Sequence, residues 1–404
     1  MQTVVMIGAG QASLACAAKL RSKGFDGEII IIGDEPNLPY QRPPLSKAYL
    51  LGKVENERLL LRPQAWYEKE KIELLTSNKV ERIDRSNKNI ELSDGRLQKY
   101  DALVIATGSA ARNLPLSMTR SISGIHTIRD LADIERLRPE LDVAKNMVVI
   151  GGGYIGLEMA AVAKGLGLEV NVIEVAPNIL GRVASKETAD YILKLHQDQG
   201  VQFHVGEQIK ELTGEEKIQS VVLENGKEIR ADIVVAGIGA MPRVELAEQA
   251  DLEIANGILV NELGQTSDSD IYAIGDCACY RLQNGDIRLE SVGNAIDTGE
   301  LVACNILGET VSYEPKPWFW SDQFDMKLQI AGRISTQDCV TVRDVEGEGR
   351  SHWYHRDGQL VAVDALNAPR AYLIGRKMVL NGLSPTGEQL ANRQKSLKEI
   401  FESL

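Results

Sequence analysis

Hydrophobic positions near the start of the chain fall into two short β-branched runs separated by a stretch of small residues. Thr3–Ile7 and Glu28–Ile32 are predicted strands, and residues 14–23 predict a helix between them. A glycine-containing turn joins the first strand to the helix. This order predicts a βαβ unit, in which such a turn holds a pyrophosphate at the N-terminus of the helix.

The turn has the residue types of a dinucleotide-binding fingerprint. Gly8 permits a tight turn, and Gly10 lets the backbone approach a pyrophosphate. Asp34 or Glu35, after the second strand, can accept hydrogen bonds from an adenosine ribose. The third position is Ser13 rather than glycine, which predicts slightly looser packing of helix on strand. A glycine turn alone also occurs by chance in α/β proteins. Here a strand precedes it, and a helix and a strand with an acidic end follow it, which favours a dinucleotide-binding fingerprint.

A second fingerprint begins in the middle of the chain. Residues 147–150 predict a strand, residues 157–164 a helix and Glu169–Glu174 a second strand. Glycine occupies all three positions of the intervening motif, Gly151, Gly153 and Gly156. Two fingerprints in one chain predict two dinucleotides, a tightly held FAD and a nicotinamide substrate.

The acidic residue at the end of this second unit predicts the choice of nicotinamide. Glu174 can accept a hydrogen bond from a 2′-hydroxyl and repels a 2′-phosphate, which favours NADH over NADPH. Residues 175–178 supply no lysine or arginine that would neutralise such a phosphate. Arg182 is the nearby cation that a loop could bring to the site.

The two units form a diverged repeat, which predicts a nested domain order. Strands at 101–108 and 232–239 follow the two fingerprints at similar distances, and a further short strand ends at Asp276, which can bind ribityl hydroxyls. After residue 315, short alternating strands and then a helix predict a third, α+β domain. We therefore expect an α/β fold with an FAD domain (1–108 and 238–314), an inserted NAD domain (109–237) and a C-terminal α+β domain (315–404).

Composition and charge narrow the protein class. The chain has 404 residues and a formal net charge of -12, which argues against nucleic-acid binding by the bulk surface. It contains no apolar run of the roughly 20 residues that a membrane helix needs, and it shows no signal peptide. Its five cysteines are odd in number and form no C-x-x-C pair, which argues against a disulfide framework. We expect a cytoplasmic monomer or weak homodimer without a metal ion.

Four motifs resemble one family over essentially the whole chain. They are residues 38–47, 151–158, 272–278 and 317–323. The sequence resembles the oxygenase-coupled NADH–ferredoxin reductases, the group of putidaredoxin reductase and rubredoxin reductase. The resemblance implies FAD contacts at Ala12, Asp34, Arg42, Lys47, Val80, Arg129, Asp276 and Val292. Further dinucleotide-binding candidates from the motifs are Ala106, Thr107, Gly108, Ile155 and Gly239.

Three residues are candidates for tuning the reaction. Glu158 lies one turn into the second fingerprint helix and can face a nicotinamide, whereas Lys47 can place positive charge near a flavin. The alternative is that both are ordinary solvated residues. The resemblance places Trp320 beside the isoalloxazine; the alternative is that this ring fills a domain junction with Trp318 and Phe319.

The route by which electrons leave is predicted from a missing residue type. Related disulfide reductases carry a C-x-x-x-x-C pair where this chain has residues 43–47, and peroxide- or oxygen-reducing relatives carry a single cysteine there. Cys16, in the first helix, is interpreted as a packing residue. Electrons should therefore pass from FAD directly to an external acceptor. We expect this acceptor to be a [2Fe-2S] ferredoxin, with rubredoxin as the second choice.

An acidic carrier would need a local basic docking face on this acidic protein. Possible contributors to that face are Arg370, Arg376, Lys377 and Arg393. Two other functions stay open on the sequence alone. One is an NADH oxidase, and the other is a redox-sensing flavoprotein resembling apoptosis-inducing factor.

Overall fold

The computed structural model of the protein describes residues 2–119, 122–335 and 337–404. The strands, in chain order, are β1 (Thr3–Ile7), β2 (Glu28–Ile32), β3 (Ile72–Leu75), β4 (Val80–Asp84), β5 (Asn89–Leu92), β6 (Leu97–Lys99), β7 (Ala102–Ile105), β8 (Ser109–Ala111), β9 (Ile125–His126), β10 (Asn146–Ile150), β11 (Glu169–Glu174), β12 (Gln202–Val205), β13 (Ile209–Thr213), β14 (Ser220–Leu223), β15 (Glu228–Arg230), β16 (Ile233–Ala236), β17 (Ala240–Pro242), β18 (Ile254–Ala255), β19 (Gly257–Val260), β20 (Ile271–Ala273), β21 (Ala278–Leu282), β22 (Gly285–Ile287), β23 (Trp318–Gln323), β24 (Met326–Gly332), β25 (Cys339–Val345), β26 (Gly349–Arg356) and β27 (Gln359–Leu366).

The helices are α1 (Gln11–Ser22), α2 (Asn56–Leu59), α3 (Gln64–Lys69), α4 (Leu116–Thr119), α5 (Leu131–Leu141), α6 (Tyr154–Gly165), α7 (Lys186–Asp198), α8 (Glu245–Gln249), α9 (Val292–Ile306), α10 (Pro369–Leu380), α11 (Gly387–Ala391) and α12 (Leu397–Glu402). Short 3₁₀ turns occupy Pro43–Ser46 and Gly275–Cys277. Across the described part of the chain, none of these helices combines the length and the apolar character needed to cross a membrane.

The first of two units is built around a parallel sheet and is discontinuous in sequence. It comprises the chain up to Arg42, then Val54–Ala110 and Ala240–Pro317. Its sheet has the strand order β20-β7-β1-β2-β3, and all neighbouring strands run parallel. Helices α1 and α9 pack closely because Gly299 has no side chain; a Cβ there would lie 2.5 Å from the Ala12 carbonyl oxygen.

The second unit repeats this sheet and adds a further one. It comprises Pro43–Lys53, Ala111–Gly239 and Trp318–Leu404. Its parallel sheet has the order β12-β11-β10-β16-β9, which matches the first sheet strand for strand from β1 and β10 outwards. Each parallel sheet also receives a three-stranded antiparallel insertion, β4-β5-β6 in one unit and β13-β14-β15 in the other. The predicted internal repeat is therefore confirmed by topology.

The C-terminal part of the second unit is an antiparallel sheet covered by helices. The strand order is β23-β24-β27-β26-β25, and α10 packs against β24 and β27. Trp353, which is completely buried, lies in the core beneath α10 with Val363 and Met378. The predicted α/β fold with a C-terminal α+β region is thereby confirmed. The three domain boundaries stay a prediction.

Helix α7 is joined to this antiparallel sheet by a buried polar cluster. The Thr188 hydroxyl donates to Asp364 Oδ2 at 2.6 Å, and the Tyr354 hydroxyl donates to the same oxygen at 2.6 Å. His352 Nδ1 lies 2.7 Å from Thr188 Oγ1. Burial raises the pKa of Asp364 to about 6. Ile192 of α7 and Leu328 of β24 also belong to one buried hydrophobic cluster.

Candidate active site

The first glycine-rich loop is shaped by a close approach of two strands. Gly8 has φ +113°, and a Cβ there would lie 2.2 Å from the Ala106 carbonyl oxygen, so only glycine fits. Gly10 has φ -122° and ψ -166°, an ordinary extended conformation, and a Cβ on it would meet nothing within 4 Å. Helix α1 starts directly after Gly10 without a side-chain cap. An anion can therefore occupy the open space at this helix N-terminus.

Ser13 replaces the third glycine of the first loop without loosening it. The Ser13 side chain is completely buried, and its hydroxyl donates to the Gly8 carbonyl at 2.5 Å. The expectation of looser packing here is therefore wrong, because the hydroxyl makes a hydrogen bond across the contact. At the matching position of the second loop, a Cβ on Gly156 would lie 2.2 Å from the Gly151 carbonyl oxygen.

Most of the predicted FAD contacts belong to the first unit. The Thr107 hydroxyl donates to the Arg243 carbonyl at 2.7 Å, and the Arg243 N–H donates to the Gly108 carbonyl at 3.0 Å. Asp276 accepts a hydrogen bond from Ser109 at 3.0 Å. Ala12 lies in the first turn of α1 and Val292 starts α9; Val80 is buried at the start of β4.

The two acidic candidates for the adenosine ribose differ in their surroundings. Glu35 accepts from the Tyr40 hydroxyl at 2.5 Å and from Arg42 at 2.5 Å. Asp34 pairs with Arg243 at 3.2 Å, and half of its side chain is exposed. The Glu35 carboxylate is thus already occupied within the protein, whereas Asp34 is more accessible. Which of them binds the ribose stays a prediction.

The second loop repeats the strand contact of the first. Gly151 has φ +105°, and a Cβ there would lie 2.4 Å from the Gly237 carbonyl oxygen. Gly153 directly precedes α6, again without a side-chain cap. Ile155, in the first turn of α6, is exposed. The loop therefore presents the same open helix N-terminus in the second unit.

Glu174 is held in place by the second loop itself. Its carboxylate accepts from the Gly152 N–H at 2.7 Å and from the Ala176 N–H at 2.8 Å. These two bonds fix the carboxylate at the end of β11, next to the glycine-rich loop. Arg182 is exposed, and one of its guanidinium nitrogens would lie 3.9 Å from a Cβ on Gly239.

The register of the two sheets shows that the acidic residues are not equivalent. Ile150 of β10 pairs with Ile173 of β11, so Glu174 follows directly after the last residue of β11 that pairs with β10. Ile7 pairs with Ile32, so the matching position in the first unit is Gly33. Asp34 and Glu35 therefore come one and two residues later, and sequence spacing alone did not reveal this difference.

Lys47 and Glu158 form a buried ion pair in the second unit. Lys47 Nζ lies 2.8 Å from Glu158 Oε2, and only 3% of the Glu158 side chain is exposed. Ser46 donates to the same oxygen at 2.6 Å, and Ser321 donates to Oε1 at 2.6 Å. Neither Lys47 nor Glu158 is an ordinary solvated residue, so that alternative is wrong.

The burial of Glu158 and its partners act on its pKa in opposite directions. Burial raises the pKa of the carboxyl above its usual value, while Lys47 and the hydroxyls of Ser321 and Ser46 oppose that rise. A buried carboxylate is tolerated only when such donors satisfy its oxygens. The pair is therefore a charged site that the surrounding residues support.

Trp320 belongs to a cluster of aromatic side chains on β23 that is contacted by Arg376 of α10. Its ring stacks on Trp318 with centroids 5.5 Å apart, and the Arg376 guanidinium lies 5.6 Å from the centre of the Trp318 ring. Phe319 points to the other face of the strand and packs against Tyr154 at 4.7 Å. Trp320 itself is partly exposed.

Arg129 lies two residues before helix α5, next to the N-cap residue Asp130. Its backbone N–H donates to Asp133 at 2.8 Å, within the capping arrangement of that helix, and its side chain is partly buried. Its proposed role in FAD binding rests on the resemblance.

All five cysteines are free thiols. Cys16, Cys277, Cys279 and Cys304 are buried free thiols, and Cys339 is free and exposed. Burial raises the pKa of Cys16 above its usual value, which keeps this thiol protonated and unreactive. The interpretation of Cys16 as a packing residue is confirmed by its complete burial. The Pro43–Ser46 turn and Lys47 contain no cysteine.

Two parallel sheets, each with an open glycine loop at a helix N-terminus, define an oxidoreductase that uses two dinucleotides. Residues 2–299 match the family described as pyridine nucleotide-disulphide oxidoreductase, and residues 318–401 match a reductase C-terminal domain. The chain therefore belongs to the pyridine nucleotide-disulphide oxidoreductase family, whose members use FAD and NAD(H).

Known proteins resemble the chain over its full length. Rhodocoxin reductase of Rhodococcus erythropolis is 38% identical, over 98% of this chain and 93% of the relative. A rubredoxin-NAD(+) reductase of Ectopseudomonas oleovorans is 36% identical, over 91% of this chain and 96% of the relative. The putidaredoxin reductase in a covalent putidaredoxin reductase–putidaredoxin complex has a TM-score of 0.95 at 36% identity, covering 100% of this chain and 98% of that one.

Replacing Gly10 by alanine tests the placement of the FAD pyrophosphate. The backbone at Gly10 suits any residue and a Cβ would meet no protein atom, so Gly10→Ala should fold as the wild type does. The added methyl would occupy the space for the phosphate and should weaken FAD binding at least about tenfold. Titration of apoprotein with FAD, followed by flavin fluorescence, measures the loss.

Gly165→Ala is the matched control, because a Cβ on Gly165 also meets open space but lies at the far end of α6. This variant should bind FAD as the wild type does. Unchanged FAD affinity in Gly10→Ala would contradict the assignment of this loop to the pyrophosphate.

Proposed function

We propose that this protein is an FAD-dependent NADH:ferredoxin reductase. It passes electrons from NADH through FAD to a [2Fe-2S] ferredoxin, or to rubredoxin, that serves a cytochrome P450 or a Rieske oxygenase. The observation that carries this function is full-length similarity, including the C-terminal domain, to reductases named for rhodocoxin, rubredoxin and putidaredoxin. The absence of cysteine from residues 43–47 supports a direct transfer to an external carrier.

The residues of each unit have separate tasks in this reaction. Bound FAD supplies the conversion of a two-electron donor into single electrons for the carrier. In the first unit, Gly8, Gly10 and Ala12 form the loop for its pyrophosphate, and Asp34 accepts from its ribose. Asp276 accepts from ribityl hydroxyls, and Arg42, Val80 and Val292 add further contacts. The resemblance also implies a contact from Arg129, which belongs to the second unit.

The second unit selects the nicotinamide. Gly151, Gly153 and Gly156 form the loop for its pyrophosphate. Glu174, fixed by two backbone N–H groups, presents a carboxylate that accepts from a ribose 2′-hydroxyl and repels a 2′-phosphate. Both interactions favour NADH over NADPH. Arg182, although exposed nearby, is not held at Glu174 by any hydrogen bond within the described residues.

Lys47, Glu158 and Trp320 are proposed to act beside the reacting rings. The ion pair keeps the Lys47 ammonium in one position, where a positive charge favours an anionic reduced ring. Trp320 is proposed to lie beside the isoalloxazine, and its stacking on Trp318 restricts its orientation. These roles rest on the resemblance and on the observed contacts.

The exposed face of helix α10 is proposed as the docking site for an acidic carrier. Arg370 and Lys377 project from α10 to solvent with Leu373 between them, and Arg376 covers the Trp318 ring. Arg393 is exposed in the segment that follows α11. A basic face of this kind attracts an acidic carrier locally, although the whole protein has a net charge of -12. The five free cysteines suit a reducing compartment, and we propose a cytoplasmic location.

Steady-state NADH oxidation tests the proposed function. The purified flavoprotein should oxidise NADH slowly with oxygen alone and at least about tenfold faster with a [2Fe-2S] ferredoxin and cytochrome c. NADH should be much preferred over NADPH because of Glu174. Fast oxidation by oxygen alone would indicate an oxidase. A reduced flavin that persists with every acceptor would indicate a redox sensor.

Reversing charge on α10 tests the docking site. The double variant Arg370→Glu and Lys377→Glu should raise the ferredoxin KM about tenfold at low salt and leave the NADH KM unchanged. Lys194→Glu, an equivalent change at an exposed lysine of α7, is the control and should leave both constants unchanged. An unchanged ferredoxin KM in the double variant would rule out this docking face.

A further inference from the structure

A chain of buried hydrogen bonds leads away from the Lys47–Glu158 pair and ends at a histidine. Gln323 Nε2 lies 3.1 Å from Ser321 Oγ, whose hydroxyl donates to Glu158 Oε1. Gln323 Oε1 lies 2.8 Å from His196 Nε2. Ser321, Gln323 and His196 are each completely buried. We propose that these three residues form a positioning chain that keeps Glu158 ionised and aimed at Lys47.

The direction of every bond in this chain follows from the charge of Glu158. A carboxylate only accepts, so the single hydroxyl proton of Ser321 must go to Glu158 Oε1. The Ser321 oxygen can then only accept, and the Gln323 amide donates to it. The Gln323 carbonyl therefore faces His196, and His196 must carry its proton on Nε2.

The surroundings of His196 make the opposite direction of these hydrogen bonds unfavourable. The His196 ring makes edge contacts with the rings of Phe203 and Phe324, and its Nδ1 atom has no hydrogen-bond partner among the described residues. Reversing the chain would move the His196 proton to Nδ1 and leave a buried N–H without an acceptor, which proteins avoid. Burial also lowers the pKa of His196 to about 4, so the ring stays neutral at physiological pH.

The positioning chain therefore keeps the Ser321 hydroxyl as a hydrogen-bond donor to Glu158 Oε1. Lys47 and Ser46, from the segment that contains the Pro43–Ser46 turn, satisfy the other oxygen. Lys47 is the charged group that faces Glu158, and Ser46 and Ser321 are its neutral donors. Removing the donor at Oε1 should raise the pKa of Glu158 further, because hydrogen bonds to the charged form lower it.

The proposal is tested by replacing members of the chain with residues that cannot donate. Ser321→Ala removes the bond to Glu158 directly. Gln323→Met keeps similar volume but removes the support of Ser321. Ser351→Ala is the matched control, because Ser351 is a buried serine of the same antiparallel sheet that lies outside the chain.

Infrared spectroscopy measures the charge of Glu158 without relying on turnover. The carbonyl band of a protonated buried carboxyl, followed over pH in the holoprotein, is assigned to Glu158 by its loss in Glu158→Gln. The comparison with Glu158→Gln is needed because burial raises the pKa of Asp364 to about 6, so protonated Asp364 contributes a carbonyl band of its own.

The proposal predicts a graded result along the chain. The midpoint of the Glu158 band should move up by about one pH unit or more in Ser321→Ala, and by less in Gln323→Met. It should stay at the wild-type pH in Ser351→Ala. A midpoint in Ser321→Ala that moves no further than in Ser351→Ala overturns the proposal. An unshifted midpoint in Gln323→Met overturns the chain beyond Ser321.

The effect of the positioning chain on flavin reduction rests on the proposed function, and it is measured in a separate experiment. Anaerobic stopped-flow reduction of the flavin by NADH should lose rate at low pH, because the ion pair is lost when Glu158 is protonated. In Ser321→Ala this acid limb should move upward together with the infrared midpoint. If the infrared midpoint moves and the rate profile does not, the positioning chain is supported and the proposed role of Glu158 in the reaction is wrong.

Discussion

Both nucleotide-binding loops depend on a backbone contact that leaves no room for a side chain. At Gly8 and at Gly151, a Cβ would lie 2.2 to 2.4 Å from the carbonyl oxygen at the end of a neighbouring strand. The contact lets each loop turn sharply and start a helix whose first N–H groups lack a side-chain cap. The same physical solution appears once in each unit, and it makes each helix N-terminus available to an anion.

A second constraint acts within the second unit, where a carboxylate is buried. Glu158 needs donors for both oxygens, and the chain supplies them from the Pro43–Ser46 turn, from Lys47 and from β23. The C-terminal sheet thus contributes residues to the site, because β23 provides Ser321 to the Glu158 carboxylate and Trp320 to the proposed site. The similarity of this domain to a reductase C-terminal domain fits that contribution.

The strands and the repeat could be predicted because their signals are local. Thr3–Ile7, Glu28–Ile32 and Glu169–Glu174 have the predicted bounds, since buried parallel strands read as continuous β-branched runs. Helix α6 begins at Tyr154, three residues before the predicted start, because the fingerprint turn itself enters the helix.

Other features depend on tertiary contacts that the sequence does not display. Strand β23 was predicted only as an aromatic cluster, because three adjacent aromatic residues show no alternation. The hydrogen bond of Ser13 and the two partners of Glu174 arise from packing of loop on strand. The link from Glu158 to His196 runs through Ser321 and Gln323, which lie 163 positions after Glu158 and 127 positions after His196, and no spacing rule indicates it.

We infer that FAD is the single redox centre between NADH and the carrier. Anaerobic titration of the oxidised protein with NADH, followed by flavin absorbance, measures the number of electrons that the protein takes up. The flavin should be completely reduced by about one equivalent of NADH per FAD, because no dithiol shares the electrons. A requirement for about two equivalents would reveal a second two-electron centre and show that FAD does not act alone.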